Sequence, residues 1–199
     1  MTRDCRTIVL AVALAIAALP AAAAQELTFP NYVFFRAATH GVVSFTGGGP
    51  KSQDIKQTVS VIFSPLPNGA FVTHSVAGPC EGTLPADYSG RNMPPSFLYR
   101  LDGDVALNLT CLLHGEKTDL KITSSVSKNA NTLTLTGHAT ATNASLSVTA
   151  DEHVDFDLSN GGCRVEKYSF RGLQAQTLPK YTRREEITAT ARDTLCKST

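Results

Sequence analysis

The stretch that decides the fold is Ser145–Leu158, which reads SLSVTADEHVDFDL. Its even-numbered positions are mainly apolar, whereas its odd-numbered positions are all serine, threonine, aspartate or histidine. Successive side chains of a β-strand point to opposite faces of the sheet, so this alternation predicts one long strand with an apolar face and a wet face.

The preceding stretch, Thr132–Thr142, alternates in the same way, with leucine, glycine and alanine set between threonine and histidine. Asn143-Ala144 separates the two stretches, and asparagine tolerates the left-handed backbone that a tight turn requires. Together the two stretches predict a hairpin with long arms.

Two further dipeptides, Asn68-Gly69 and Asp102-Gly103, supply the positive φ angles that type I′ turns need. They predict two hairpins, with arms Thr58–Ser64 and Ala70–Ala77 in the first, and Ser96–Leu101 and Asp104–His114 in the second. Alternation also predicts strands at Tyr32–Ala37, Gly41–Thr46, Thr118–Ser127, Arg164–Arg171 and Glu186–Leu195.

Strands that follow one another through short turns predict an all-β fold with an antiparallel meander of about ten strands. Such a meander closes, fully or in part, into an up-and-down barrel, and a two-sheet β-sandwich is the alternative. Small residues on the expected inner face, Gly137, Ala139, Ala141 and Ala150, leave room for a ligand or allow two sheets to approach closely.

Residues 1–24 have the pattern of a bacterial Sec-type signal peptide. Arg3 and Arg6 precede the apolar run Ile8–Leu19, and Ala22-Ala23-Ala24 provides a small-residue cleavage site. We expect residues 25–199 to form a single all-β domain in the periplasm or outside the cell; an uncleaved N-terminal anchor is the alternative. No later segment is apolar and long enough to span a bilayer, so no membrane span is expected in the mature chain.

Four cysteines follow the predicted signal peptide, and an even number in an exported chain indicates two disulfides. The chain has no Cys-x-x-Cys motif, so redox-exchange sites and zinc ribbons lack their required spacing. The favoured pairs are Cys80–Cys111 and Cys163–Cys196, which join sequence neighbours within a meander, although three pairings are open.

Removal of residues 1–24 takes away two arginines and one aspartate, which leaves 16 basic and 16 acidic residues in the mature chain. Nucleic-acid binding would require a basic excess or stripe, and none is present, so we expect no nucleic-acid partner. No motif indicates a cofactor either, and we expect none.

The densest group of chemically active side chains lies on the wet face of the predicted Ser145–Leu158 strand. Asp151, His153, Asp155 and Asp157 share that face, and same-face neighbours are about 7 Å apart. His138 is expected to face His153 across the Asn143-Ala144 hairpin. Such residues could ligate a metal, so the weak metal candidates are His138, Asp151, His153 and Asp155; a solvated sheet face is the alternative.

Two short motifs resemble catalytic or nucleotide-binding signatures but lack their context. Thr46–Ser52 has a proline where a phosphate-binding loop needs glycine, and a strand rather than a helix follows it. Ser125–Lys128 matches Ser-x-x-Lys, but it lies on a predicted strand instead of a helix start.

These observations favour an exported, non-enzymatic binding protein of the periplasm or cell surface, with a small apolar ligand or a protein as its partner. Two alternatives are a structural or assembly subunit and a metal-assisted enzyme that uses the Asp151-His153-Asp155 face. Whether the protein is an enzyme is left open, with the balance against it, because no catalytic constellation is complete in the sequence.

Overall fold

The computed structural model describes residues 33–72, 80–82, 97–113, 115–159 and 162–198 of the 199. The predicted signal peptide lies outside these residues, as do His74 and His114. Within them the chain forms twelve β-strands and no α-helix. The strands are β1 Val33–Thr46, β2 Gln53–Leu66, β3 Gly69–Val72, β4 Cys80–Gly82, β5 Phe97–Arg100, β6 Val105–Leu113, β7 Glu116–Asn129, β8 Thr132–Thr142, β9 Leu146–Asp157, β10 Arg164–Thr177, β11 Thr182–Leu195 and β12 Lys197–Ser198.

The strands belong to one antiparallel sheet, in the order β4-β6-β7-β8-β9-β10-β11-β1-β2-β3-β5, and β12 also pairs with β1. The sheet curls on itself but does not close, because β4 and β5 lie at its two ends and do not pair with each other. The predicted all-β meander is therefore confirmed in its partly open form. The described strands form one sheet rather than the two of a sandwich.

Most of the predicted turns are confirmed, with shifted boundaries. β2 and β3 pair around the Asn68-Gly69 region, although Gly69 is already the first residue of β3. Two separate early strands were predicted within Tyr32–Thr46, and this division is wrong. β1 runs without a break through residues 38–40, because that whole segment pairs with β2 on one side and β11 on the other.

The predicted hairpin around Asp102-Gly103 is wrong. The chain turns there, and a single bridge joins Arg100 to Gly103, but β5 pairs with β3 while β6 pairs with β4 and β7. Phe97, Leu98 and Tyr99 are consecutive and all fully buried, so β5 has no wet face to present beside β6. It crosses the inner side of β7 and β8 instead, and the Ser124 hydroxyl on β7 donates a hydrogen bond to the Leu98 carbonyl oxygen.

The β8–β9 hairpin is confirmed, but its predicted register is wrong by two residues. The Asn143 side-chain oxygen accepts hydrogen bonds from the backbone N–H groups of Ser145 (2.9 Å) and Leu146 (2.7 Å), which makes the turn longer than Asn143-Ala144. This turn sets His138 opposite Asp151, and His153 opposite Thr136. His138 and His153 are therefore not a cross-strand pair.

An aromatic cluster fills one half of the barrel interior. Phe35 packs edge-to-face on Tyr168 with ring centroids 5.1 Å apart, and Phe63 packs edge-to-face on Phe156 at 5.5 Å. Tyr99 joins the cluster from β5, 6.2 Å from the Phe63 ring. Burial of these large rings supplies much of the hydrophobic stabilisation and closes this half of the interior.

The predicted Cys163–Cys196 disulfide is confirmed, and it joins the start of β10 to the end of β11 across a Cα–Cα distance of 5.2 Å. The Cys196 N–H also donates a 2.9 Å hydrogen bond to the Cys163 carbonyl oxygen. Cys111 is disulfide-bonded as well, and the β4–β6 register sets Cys80 directly opposite it. The backbone thus agrees with the Cys80–Cys111 pairing, which stays a prediction.

Candidate binding site inside the barrel

A carboxylate lies in the barrel interior, on the apolar face of β9. Glu152 is 3% exposed and accepts hydrogen bonds from two tyrosine hydroxyls, Tyr99 at 2.6 Å and Tyr168 at 3.2 Å. The two bonds end on different carboxylate oxygens, so one side chain links β5 to β10 through β9. Burial raises the pKa of both tyrosines, and the neighbouring Glu152 charge raises it further.

Glu152 belongs to a row of inward-facing residues that crosses six strands at one height. We call this the Glu152 row. Its members lie opposite one another in the register of adjacent strands, and all face the interior. They are Ser124 on β7, Gly137 on β8, Glu152 on β9, Phe170 on β10, Ala189 on β11 and Thr39 on β1.

Gly137 makes room for β5 within this row. A Cβ atom built on Gly137 would lie 2.7 Å from the Tyr99 hydroxyl oxygen and closer still to the Phe97 ring. The absent side chain therefore lets both aromatic residues rest on the backbone of β8, next to Glu152. Of the two roles that the sequence leaves open for Gly137, room for a ligand or close approach of another layer, the first is not available, because Phe97 and Tyr99 occupy the space beside it.

Replacing Gly137 with alanine is expected to destabilise the protein by about 2 kcal/mol, because the new methyl group forces Phe97 and Tyr99 out of position. Urea unfolding followed by circular dichroism measures the change. Gly41→Ala is the matched control, since a Cβ atom there meets its nearest neighbour at an ordinary 3.7 Å. Equal stability of the two variants would show that β5 does not pack on Gly137.

The next row of inward-facing residues, further from the aromatic cluster, is entirely apolar. We call it the lumen ring. Ala150, Gly172 and Ile187 are half-buried, and Ile55 is 41% exposed although it faces inward. This partial exposure shows that no other side chain fully covers this part of the wall, although the Phe170 ring lies over Gly172, 3.2 Å from where a Cβ atom would be. The full ring is Ile122, Ala139, Ala150, Gly172, Ile187, Gly41 and Ile55.

Polar side chains follow beyond the lumen ring. Val148 and Val43 continue the apolar wall at the following level, but Gln174 and Glu185 are their neighbours there. Glu185 forms an ion pair with Arg183, two residues along the same face of β11. The apolar lumen ring thus lies between the Glu152 row and a polar end of the barrel.

The residues predicted from the sequence as metal candidates lie on the outer face of the sheet. His138 contacts Asp151 at 2.7 Å, and His153 contacts Asp155 at 2.8 Å, so they form two separate pairs. Burial opposes ionisation of Asp155, but hydrogen bonds with His153 and Thr134 outweigh it and lower its pKa. Among the described residues, no group of three or more histidine, cysteine or acidic side chains is arranged to hold a metal ion.

Sequence reasoning missed the interior polar residues. Glu152 is the one charged residue at an even-numbered position of Ser145–Leu158, and this break in the alternation was the available signal. Nothing in the local sequence marks Tyr99 and Tyr168 as its partners, because they lie 53 and 16 residues away in the chain.

Comparison with known proteins adds no relative. No protein-family model, curated protein or solved structure matches this chain. In the part of the chain that the structure describes, no helix is long and apolar enough to cross a membrane.

Proposed function

We propose that this chain is an exported binding protein that holds a small apolar ligand against the lumen ring. The observation that carries the proposal is an inner wall that is apolar yet partly exposed at Ala150, Gly172, Ile187 and Ile55. A filled core would bury these side chains, as the aromatic cluster does in the other half of the interior.

The surroundings of the lumen ring support a ligand site. The Glu152 row, to which Phe170 belongs, forms its floor, and the Arg183–Glu185 ion pair lies at its polar end. Sites for small molecules are concave, mainly apolar and bordered by a few polar groups, which matches this arrangement. The Cys163–Cys196 disulfide is compatible with the oxidising compartment that export requires.

The direct test is a fluorescence titration with N-phenyl-1-naphthylamine, which becomes bright in an apolar environment. We expect saturable binding to the mature protein, and a loss of about tenfold or more in affinity for Ala150→Phe, because the larger ring fills the lumen. Thr149→Phe is the matched control, since Thr149 is the adjacent residue on the opposite face of β9. Absence of binding, or equal binding by Ala150→Phe, would rule out the lumen as the site.

Native mass spectrometry of the protein purified from its own compartment complements the titration. We expect a mass excess that disappears on denaturation and that is reduced in Ala150→Phe. A native mass equal to the denatured mass, combined with no binding of N-phenyl-1-naphthylamine, would remove the support for a carrier.

A further inference from the structure

Thr39 lies at the junction between the Glu152 row and the lumen ring. It is in the middle of β1 and faces inward, directly opposite Ala189 on β11 and Gln57 on β2. Its neighbours two residues away on the same face of β1 are Ala37, which belongs to the core, and Gly41, which belongs to the lumen ring.

The Thr39 hydroxyl oxygen is buried and makes no hydrogen bond, and among the described residues it is the one buried side-chain polar atom in this state. Other interior hydroxyls are satisfied. Ser124 donates to the Leu98 carbonyl oxygen, and Thr118 both donates to the Glu116 carbonyl oxygen and accepts from Asn143. A buried hydroxyl without a partner costs free energy, and a bound polar group is one way in which that cost is relieved.

The groups around Thr39 are neutral. On the inner face, its neighbours along and across the strands are Ala37, Gly41, Ala189 and Gln57. The nearest charged residues that face inward on adjacent strands are Glu185 and Arg183 of β11. They lie two and three inward-facing positions from Ala189, the residue opposite Thr39. A charged head group beside Thr39 would meet no opposite charge among these neighbours, whereas a neutral hydroxyl needs none.

We propose that Thr39 is the polar anchor of the lumen ring and that the site takes a neutral amphiphile with a hydroxyl head group, such as a medium-chain alcohol. This inference rests on the proposed function, because it specifies the ligand class for the same site. The threonine hydroxyl both donates and accepts, so once a rotation about its Cα–Cβ bond turns it towards the lumen it can pair with an alcohol in either direction. The apolar chain of the alcohol then lies along Ala150 and Ile187, beside the Phe170 ring that covers Gly172.

The test compares three probes with the same chain and different head groups, namely 1-decanol, decanoate and decyltrimethylammonium. Each is titrated against the mature protein by displacement of N-phenyl-1-naphthylamine. We expect 1-decanol to bind most tightly. Thr39→Val should weaken 1-decanol by roughly three- to tenfold, the range of one neutral hydrogen bond, while Thr39→Ser should retain most of the affinity.

Thr190→Val is the matched control, because Thr190 pairs with Ala38 on the neighbouring strand and is exposed on the outer face. It should leave the affinity for 1-decanol unchanged. Without any probe bound, Thr39→Val should unfold at a urea concentration no lower than wild type, because it removes a buried hydroxyl that has no partner. A clear loss of stability would mean that the protein itself satisfies this hydroxyl, and would overturn the assignment.

The binding outcomes separate the two proposals. If none of the probes binds, the lumen site and the Thr39 assignment both fall. If 1-decanol binds and Thr39→Val binds it equally well, the lumen site stands and the Thr39 assignment falls. Tighter binding of decanoate or decyltrimethylammonium than of 1-decanol would likewise overturn the neutral ligand class.

Discussion

Replacing Glu152 with alanine is expected to destabilise the fold by about 4 kcal/mol. The substitution strips the hydrogen-bond acceptor from the buried Tyr99 and Tyr168 hydroxyls, and each buried hydroxyl left unpaired costs about 1–3 kcal/mol. It also leaves a cavity between β5, β9 and β10, because close-packed interiors relax only in part around a truncated side chain. Urea unfolding monitored by circular dichroism and by tyrosine fluorescence measures the loss.

Two companion variants separate the hydrogen bonds from the cavity. Glu152→Gln keeps the size of the side chain, and its amide can accept from one tyrosine and donate to the other, so we expect a loss of only about 1 kcal/mol. Asp151→Ala is the outer-face control, and because Asp151 is exposed we expect a change below about 0.5 kcal/mol. If Glu152→Ala cost no more than Asp151→Ala, the buried carboxylate would not connect β5 to the barrel.

Removal of the Cys163–Cys196 disulfide has the other large expected effect. The bond closes a loop of 33 residues. The chain-entropy model assigns such a loop about 3–4 kcal/mol of stabilisation, which comes mainly from restriction of the unfolded chain. We expect the Cys163→Ser/Cys196→Ser variant to lose this amount, with its midpoint of urea unfolding lowered and the slope of the transition raised, because its unfolded chain is less compact.

Reduction provides an independent measurement of the same quantity. Wild-type protein in excess reductant should fall to or below the stability of the double-serine variant, because Cys111 is also disulfide-bonded and its bond is reduced at the same time. The variant itself should therefore lose further stability in reductant. A double-serine variant within about 1 kcal/mol of wild type would contradict the chain-entropy estimate for this loop.

The long strands β7, β8 and β9 could be predicted from the sequence because one face of each is exposed to solvent. The twofold alternation survives through most of β7 and all of β8 as buried residues alternating with exposed or half-buried ones, but it is lost at residues 148–150 of β9, which are all half-buried. β5 could not be placed in this way. Phe97, Leu98 and Tyr99 are all apolar in character and buried, so local pattern does not identify the strand that pairs with them, and the Asp102-Gly103 turn signal favoured the wrong neighbour.

The candidate site was harder to predict than the fold. Asp151, His153 and Asp155 stand out by residue type, yet the sheet places them outward as separate pairs. Glu152 is notable because it is buried and accepts hydrogen bonds from two tyrosines, and Thr39 because its hydroxyl is buried without a partner. Both are properties of the folded chain. Thr39 is one of two threonines among the 14 residues of β1, and no sequence signal distinguishes it.

The sheet order has a consequence for the timing of folding. β1 lies between β2 and β11, so the first described strand is held along nine residue pairs by a strand that ends at Leu195. Contacts between segments so distant in sequence form slowly, because the entropy cost of closing a long loop comes before the contacts can stabilise the chain. When the chain emerges with its N-terminus first, one edge of β1 therefore stays unpaired until residues 182–195 have emerged. The barrel can be completed only after that.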